Sequence, residues 1–126
     1  MIFVDTNYFL RFLRDDIPEQ TGTVKALFLA ASEGKKKLFT STIVFFEIFW
    51  VIKSFYSEKK ERLIKTLQKV LDLDFIKIEE KEVLKDTLEV YGKTNLELED
   101  CYNLAYAKAH KMTKFATFDK KLSKYI

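Results

Sequence analysis

The chain has 126 residues, 48% of them apolar, with three glycines and one proline; that suits one compact domain over residues 1–126 and leaves little for linkers. Its formal charge is +3, from 22 Lys/Arg against 19 Asp/Glu, mildly basic and compatible with a polyanionic partner without being diagnostic of one. Cys101 is the single cysteine and His110 the single histidine, which excludes an internal disulfide and a Cys/His zinc site.

The elements follow in chain order. Residues 2–4 form a short apolar run that stops at Asp5-Thr6-Asn7, the pattern of a buried strand with Thr6 or Asn7 as N-cap of the next helix. Phe9, Leu10 and Leu13 carry the helical spacing. Pro18 opens a second helix whose inner face is Val24, Leu27, Phe28 and Ala31, and Gly34 ends it. Residues 38–42 read as a second strand, with Ser41 or Thr42 capping a helix through 43–52. That apolar run is about half the ~20 residues of a membrane span, and Asp5, Arg11 and Arg14 interrupt any leader-like start. A cytoplasmic, membrane-free protein is expected.

Further helices are expected around Leu63, Ile64, Leu67, Val70 and Leu71, then around Val83, Leu84, Leu88 and Tyr91, and finally over about 99–111. Residues 75–78 and 115–118 read as third and fourth strands, the latter ending at Asp119. Strands alternating with helical stretches indicate a parallel sheet and a three-layer α/β/α sandwich. In such sheets ligands bind at the carboxyl ends of strands, where Asp5 and Asp119 stand.

Four acidic residues draw the chemistry. Glu47 is the one polar residue in the 43–52 run, and a buried, ionised, unpaired carboxylate there costs several kcal/mol. It therefore needs a metal cation, a basic partner such as Arg11, Arg14 or a lysine, or a raised pKa. Asp5 and Asp119 read either as helix caps or as carboxylates presented at strand ends. Asp100 opens an apolar helix, where an acid complements the helix dipole or ligates a metal. Thr94 with Glu97 makes a possible capping box for an earlier start of that helix. Four carboxylates in one cleft would repel one another unless cations or protons intervene. An all-oxygen set selects Mg²⁺ or Mn²⁺, the ions of phosphodiester hydrolysis.

The segments VDTNYFLRFLRDDIPEQ, TSTIVFFEIFWVI, LEDCYNLAYAKA and ATFDKKL resemble, in order and spacing, the PIN-domain family and, within it, the VapC-type toxins of toxin–antitoxin pairs. The resemblance implies a parallel-sheet α/β/α fold and RNA cleavage with Mg²⁺ or Mn²⁺. It makes Asp5, Glu47, Asp100 and Asp119 the acidic quartet, with Thr6, Asn7 and Thr117 as supporting polar residues. Arg11, one turn after Asn7, is either a contact to RNA phosphate, a neutraliser of Glu47 or a solvated side chain. The resemblance also implies a homodimer and a cognate antitoxin. Cys101, Tyr102 and Asn103 depart from the small and aliphatic residues more usual after the third acid. Alternatives are an RNA-processing PIN nuclease and a noncatalytic RNA- or protein-binding PIN module. A haloacid-dehalogenase-type phosphatase also begins with strand-Asp, but it wants an acid at position 7, where this chain has Asn7.

Overall fold

The fold is described from a computed structural model, which covers residues 1–14 and 16–126. Asp15, within one of the quoted segments, lies outside the described residues. The chain divides into two compact units, Met1–Glu79 and Glu80–Ile126.

The first unit holds a parallel three-stranded sheet in the order β1-β2-β3, made of β1 (Ile2–Phe3), β2 (Leu38–Thr40) and β3 (Ile76–Ile78). Ile2 registers with Leu38 and Leu38 with Ile76. Parallel neighbours need long crossovers. Here they are α1 (Thr6–Arg14) with α2 (Pro18–Ser32), then α3 (Thr42–Phe55) with α4 (Lys60–Leu71). This is the expected α/β class with a parallel sheet.

Local signals account for the helix ends. Pro18 occupies the first turn of α2, where its missing N–H costs nothing. Gly34 adopts φ +81° just past that helix, a left-handed conformation that glycine takes without strain. Ser41 caps α3, its side chain accepting from the Val44 N–H. The first helix differs from expectation: it begins at Thr6 itself, and Asp5 rather than Thr6 or Asn7 precedes it.

The apolar α3 is mainly core. Val44, Phe45, Phe46, Ile48, Phe49 and Ile52 are buried, whereas Ile43 and Trp50 are exposed. Ile43, Glu47 and Trp50 are spaced i, i+4, i+7, so they share the one face of α3 that is not packed. The helix packs on α1 and α4, whose Phe9, Leu63, Leu67 and Leu71 are buried as well. No helix is long and apolar enough, among the described residues, to cross a membrane.

The second unit comprises α5 (Lys81–Lys93), α6 (Leu98–Ala109) and α7 (Lys120–Ser123). Leu84, Leu88 and Tyr91 of α5 and Leu98, Cys101 and Leu104 of α6 are buried, and the two helices pack on each other. The capping box is not formed. Thr94 closes α5, bonding the Val90 carbonyl at 3.0 Å, and Glu97 is the N-cap of α6.

The expected fourth strand is also absent. Residues 115–118 have no strand structure, and Phe118 is fully exposed. Alternating apolar residues satisfy a strand only when a ladder takes up their backbone groups.

Leu67 is fully buried and Leu29 is 60% exposed. Leu67→Ala is expected to lower stability by roughly 2–5 kcal/mol in urea unfolding, while Leu29→Ala stays within about 0.5 kcal/mol.

Candidate functional site

The carboxyl end of β1 is pinned through both backbone polar groups of one residue. Val4 donates its N–H to the Phe39 carbonyl at 2.9 Å, and its own carbonyl accepts the Thr40 hydroxyl at 2.7 Å. Thr40 is buried, so this bond satisfies a hydroxyl that would otherwise be costly. The chain leaves this clamp at Asp5. One Asp5 oxygen accepts the Thr6 N–H at 2.7 Å, satisfying the first backbone donor of α1.

Thr6 is buried, and its hydroxyl donates to Glu47 Oε1 at 3.1 Å. One threonine therefore holds two carboxylates from positions far apart in sequence. Asp5 is exposed and Glu47 half-buried. Among the described residues, each keeps its second oxygen free of protein donors. A carboxylate has about four acceptor sites, so the bond to Thr6 leaves Asp5 able to ligate. Two anions tied to one residue repel each other, and a hard cation relieves that repulsion.

The ion-pair alternative for Glu47 is not realised among the described residues. Arg11 donates Nε to Gln20 at 2.7 Å and Nη1 to Asp16 at 3.1 Å. Arg14 pairs with Glu58 at 3.4 Å and lies 3.5 Å over the Tyr56 ring.

In the second unit, Asp100 stands half-buried in the first turn of α6 beside Glu99, where negative charge complements the helix dipole. Asp119 is the N-cap of α7, its Oδ1 accepting from Lys121 at 2.9 Å and Leu122 at 3.1 Å. Thr117 accepts the Asp119 N–H at 3.0 Å. Asn7 is exposed. Among the described residues, no group of three or more His, Cys, Asp or Glu side chains is gathered to hold a metal. Asp5 and Glu47 are the acids brought together. Two carboxylates match the donor set of Mg²⁺, which commonly takes one or two and completes its shell with water and phosphate.

Residues 2–126 match the PIN domain. The chain belongs to the PIN-domain family. It is also similar to a VapC ribonuclease of Aquifex aeolicus (strain VF5), with 23% identity over 124 residues covering 98% of this chain and 91% of that protein. No solved structure matches it.

In this PIN-domain chain, sequence reasoning overlooked Thr40, whose role shows only in the buried bond to Val4. A polar residue at the end of an apolar strand was the available signal. It also overlooked the surroundings of Tyr91, which is buried near the start of α6. Burial first, then the charges of Glu97, Cys101 and Glu99, raise the Tyr91 phenol above its ordinary value of 10.0.

Two predictions follow from these contacts. Asp119→Ala should speed amide exchange at Lys121 and Leu122, whereas Asp119→Asn, also a good cap, should leave it near wild type. For Tyr91, the folded protein holds the phenolic proton more tightly than the unfolded chain does. Its contribution is therefore complete below about pH 10 and lost as pH rises through the folded value. Urea midpoints of metal-free protein should fall above about pH 10, with a shallower fall in Tyr91→Phe.

Proposed function

We propose that this chain is a metal-dependent endoribonuclease that hydrolyses RNA phosphodiester bonds and acts as the toxin of a toxin–antitoxin pair. The observation that carries the reading is the pair of carboxylates, Asp5 and Glu47, bonded to the N–H and hydroxyl of Thr6. Membership of the PIN-domain family and the likeness to a protein named VapC ribonuclease support RNA as the substrate, and the toxin role follows the resemblance to VapC-type toxins.

In this reading residues 1–126 act as one PIN-like domain, Asp5 and Glu47 hold Mg²⁺ or Mn²⁺, and Asp100 and Asp119 are the proposed further acids of the quartet. When bound, the metal supplies the positive charge that activates water and offsets charge developing on the scissile phosphate. Thr6 positions Asp5 and Glu47, so that neither carboxylate reorganises when substrate arrives. Thr117 orients the backbone at Asp119, and Asn7 adds a polar group beside Asp5. Arg11, held by Gln20 and Asp16, presents a planar cation suited to RNA phosphate. A second copy of the chain and a cognate antitoxin are the proposed protein partners, in the cytoplasm. Exposed Ile43, Trp50 and Phe55 of α3 offer them apolar surface.

The test is induction of wild type and Asp5→Asn in bacteria with mapping of new RNA 5′ ends. Growth arrest with site-specific cuts, both lost in the variant, is the expected outcome. Cuts without arrest would assign the chain to RNA processing, and RNA binding without cuts to a noncatalytic module. In vitro, cleavage should require added Mg²⁺ or Mn²⁺ and stop in EDTA; full activity of metal-stripped protein would overturn the metal role.

Glu47→Gln gives an independent check, because Gln keeps an acceptor for the Thr6 hydroxyl while removing a charge. Without metal the variant should be at least as stable as wild type in urea. Mg²⁺ should stabilise wild type alone, by about 2.7 kcal/mol at a hundredfold excess over Kd. A large stability loss in EDTA would instead mark Glu47 as structural.

A further inference from the structure

A concave site lies wholly within the first unit, at the end of α1 remote from Asp5. From Thr6 to Arg14 that helix rises roughly 12 Å. The cleft has a volume of about 750 Å³ and is walled by α1, α3, the 57–59 connection and α4. Five cations line it, namely Arg14, Lys59, Arg62, Lys65 and Lys69, against the two carboxylates Glu58 and Glu61. The partly exposed Leu13 and the buried Ile52 also border it.

The charges are unevenly satisfied. Glu58 receives Arg14 Nη1 at 3.4 Å and Arg62 Nε at 3.5 Å, so one carboxylate is shared by two guanidinium groups. Arg14 is further held face-on over Tyr56, and its Nε is buried without a partner. Among the described residues, Lys59, Lys65 and Lys69 make no ion pair at all. Arg62, Lys65 and Lys69 fall at i, i+3 and i+7 on one face of α4, spread over roughly 10 Å of helix. With Lys59, the unpaired Lys65 and Lys69 give the cleft the positively charged wall that tracks the backbone of a single-stranded nucleic acid.

We propose that this cleft is an exosite for single-stranded RNA. Its α4 lysines contact the phosphate backbone. The choice of RNA as ligand rests on the ribonuclease reading above; the anion site itself does not.

Binding of a labelled single-stranded RNA of about 16 nucleotides to the full chain in EDTA tests this without cleavage. Lys65→Ala/Lys69→Ala should make the plot of log affinity against log salt shallower by about 1.4, from two lost phosphate contacts to a single strand. From a common affinity at about 1 M salt, that corresponds to roughly 25-fold weaker binding at about 0.1 M. Lys65→Arg/Lys69→Arg should restore affinity, and Lys36→Ala/Lys37→Ala, outside the cleft, should change it far less. Unchanged RNA binding in the cleft variant, an equal loss in the Lys36/Lys37 variant, or loss of polyglutamate binding with RNA binding intact would each overturn the exosite. A protein that binds RNA through the cleft yet cuts none with Mg²⁺ would uphold the exosite and overturn the proposed function.

Discussion

The hydroxyl and the N–H of Thr6 impose the constraint on which the first unit's acidic pair depends. Each donates to a carboxylate, and hydrogen bonds to charged groups contribute about 1.5–3 kcal/mol net. That bonding works only if the start of α1 and the middle of α3 are brought to the same place. Sheet and helices meet this requirement separately. The Thr40–Val4 bond holds the end of β1, and the Ser41 cap with the buried face of Phe45, Ile48 and Phe49 sets the rotation of α3. Glu47 consequently emerges on the single unpacked face of an otherwise apolar helix.

That arrangement explains how a carboxylate survives in the middle of the most apolar stretch of the chain. Burying it among Ile48 and Phe49 would cost several kcal/mol. Placing it between exposed Ile43 and Trp50 avoids most of that cost and leaves one oxygen accessible. The same economy appears at Asp5 and Asp119. Each gives one oxygen to backbone N–H groups at a helix start and retains acceptor capacity for a cation. Capping and ligation are compatible roles for one carboxylate.

The mildly positive net charge conceals local organisation. Arg14 and Arg62 converge on Glu58, whereas Lys59, Lys65 and Lys69 gather in the same cleft without acidic partners. Composition records these residues as surface charge. Helix geometry and the bend between α3 and α4 turn them into a concave, cationic wall.

Much of the fold was legible in the sequence because it rests on short-range chemistry. Pro18 and Gly34 bound a helix through their backbone preferences, Ser41 caps one through its hydroxyl, and the 2–4, 38–42 and 75–78 runs carry strand patterning that yields three paired strands. Residues 115–118 carry similar patterning and form no strand, since pairing is decided by a partner the local sequence does not specify. Likewise Thr94 and Glu97 have capping-box spacing, yet Thr94 is taken by the end of α5. The sequence alone therefore determined the α/β class, the helix boundaries marked by special residues and the candidate acids Asp5, Glu47, Asp100 and Asp119. Only the tertiary structure decided that Thr6 joins Asp5 to Glu47 and that Arg11 and Arg14 pair elsewhere. It alone decided, too, which lysines share a cleft. These facts depend on side-chain directions set by packing between distant segments, and no local propensity encodes them.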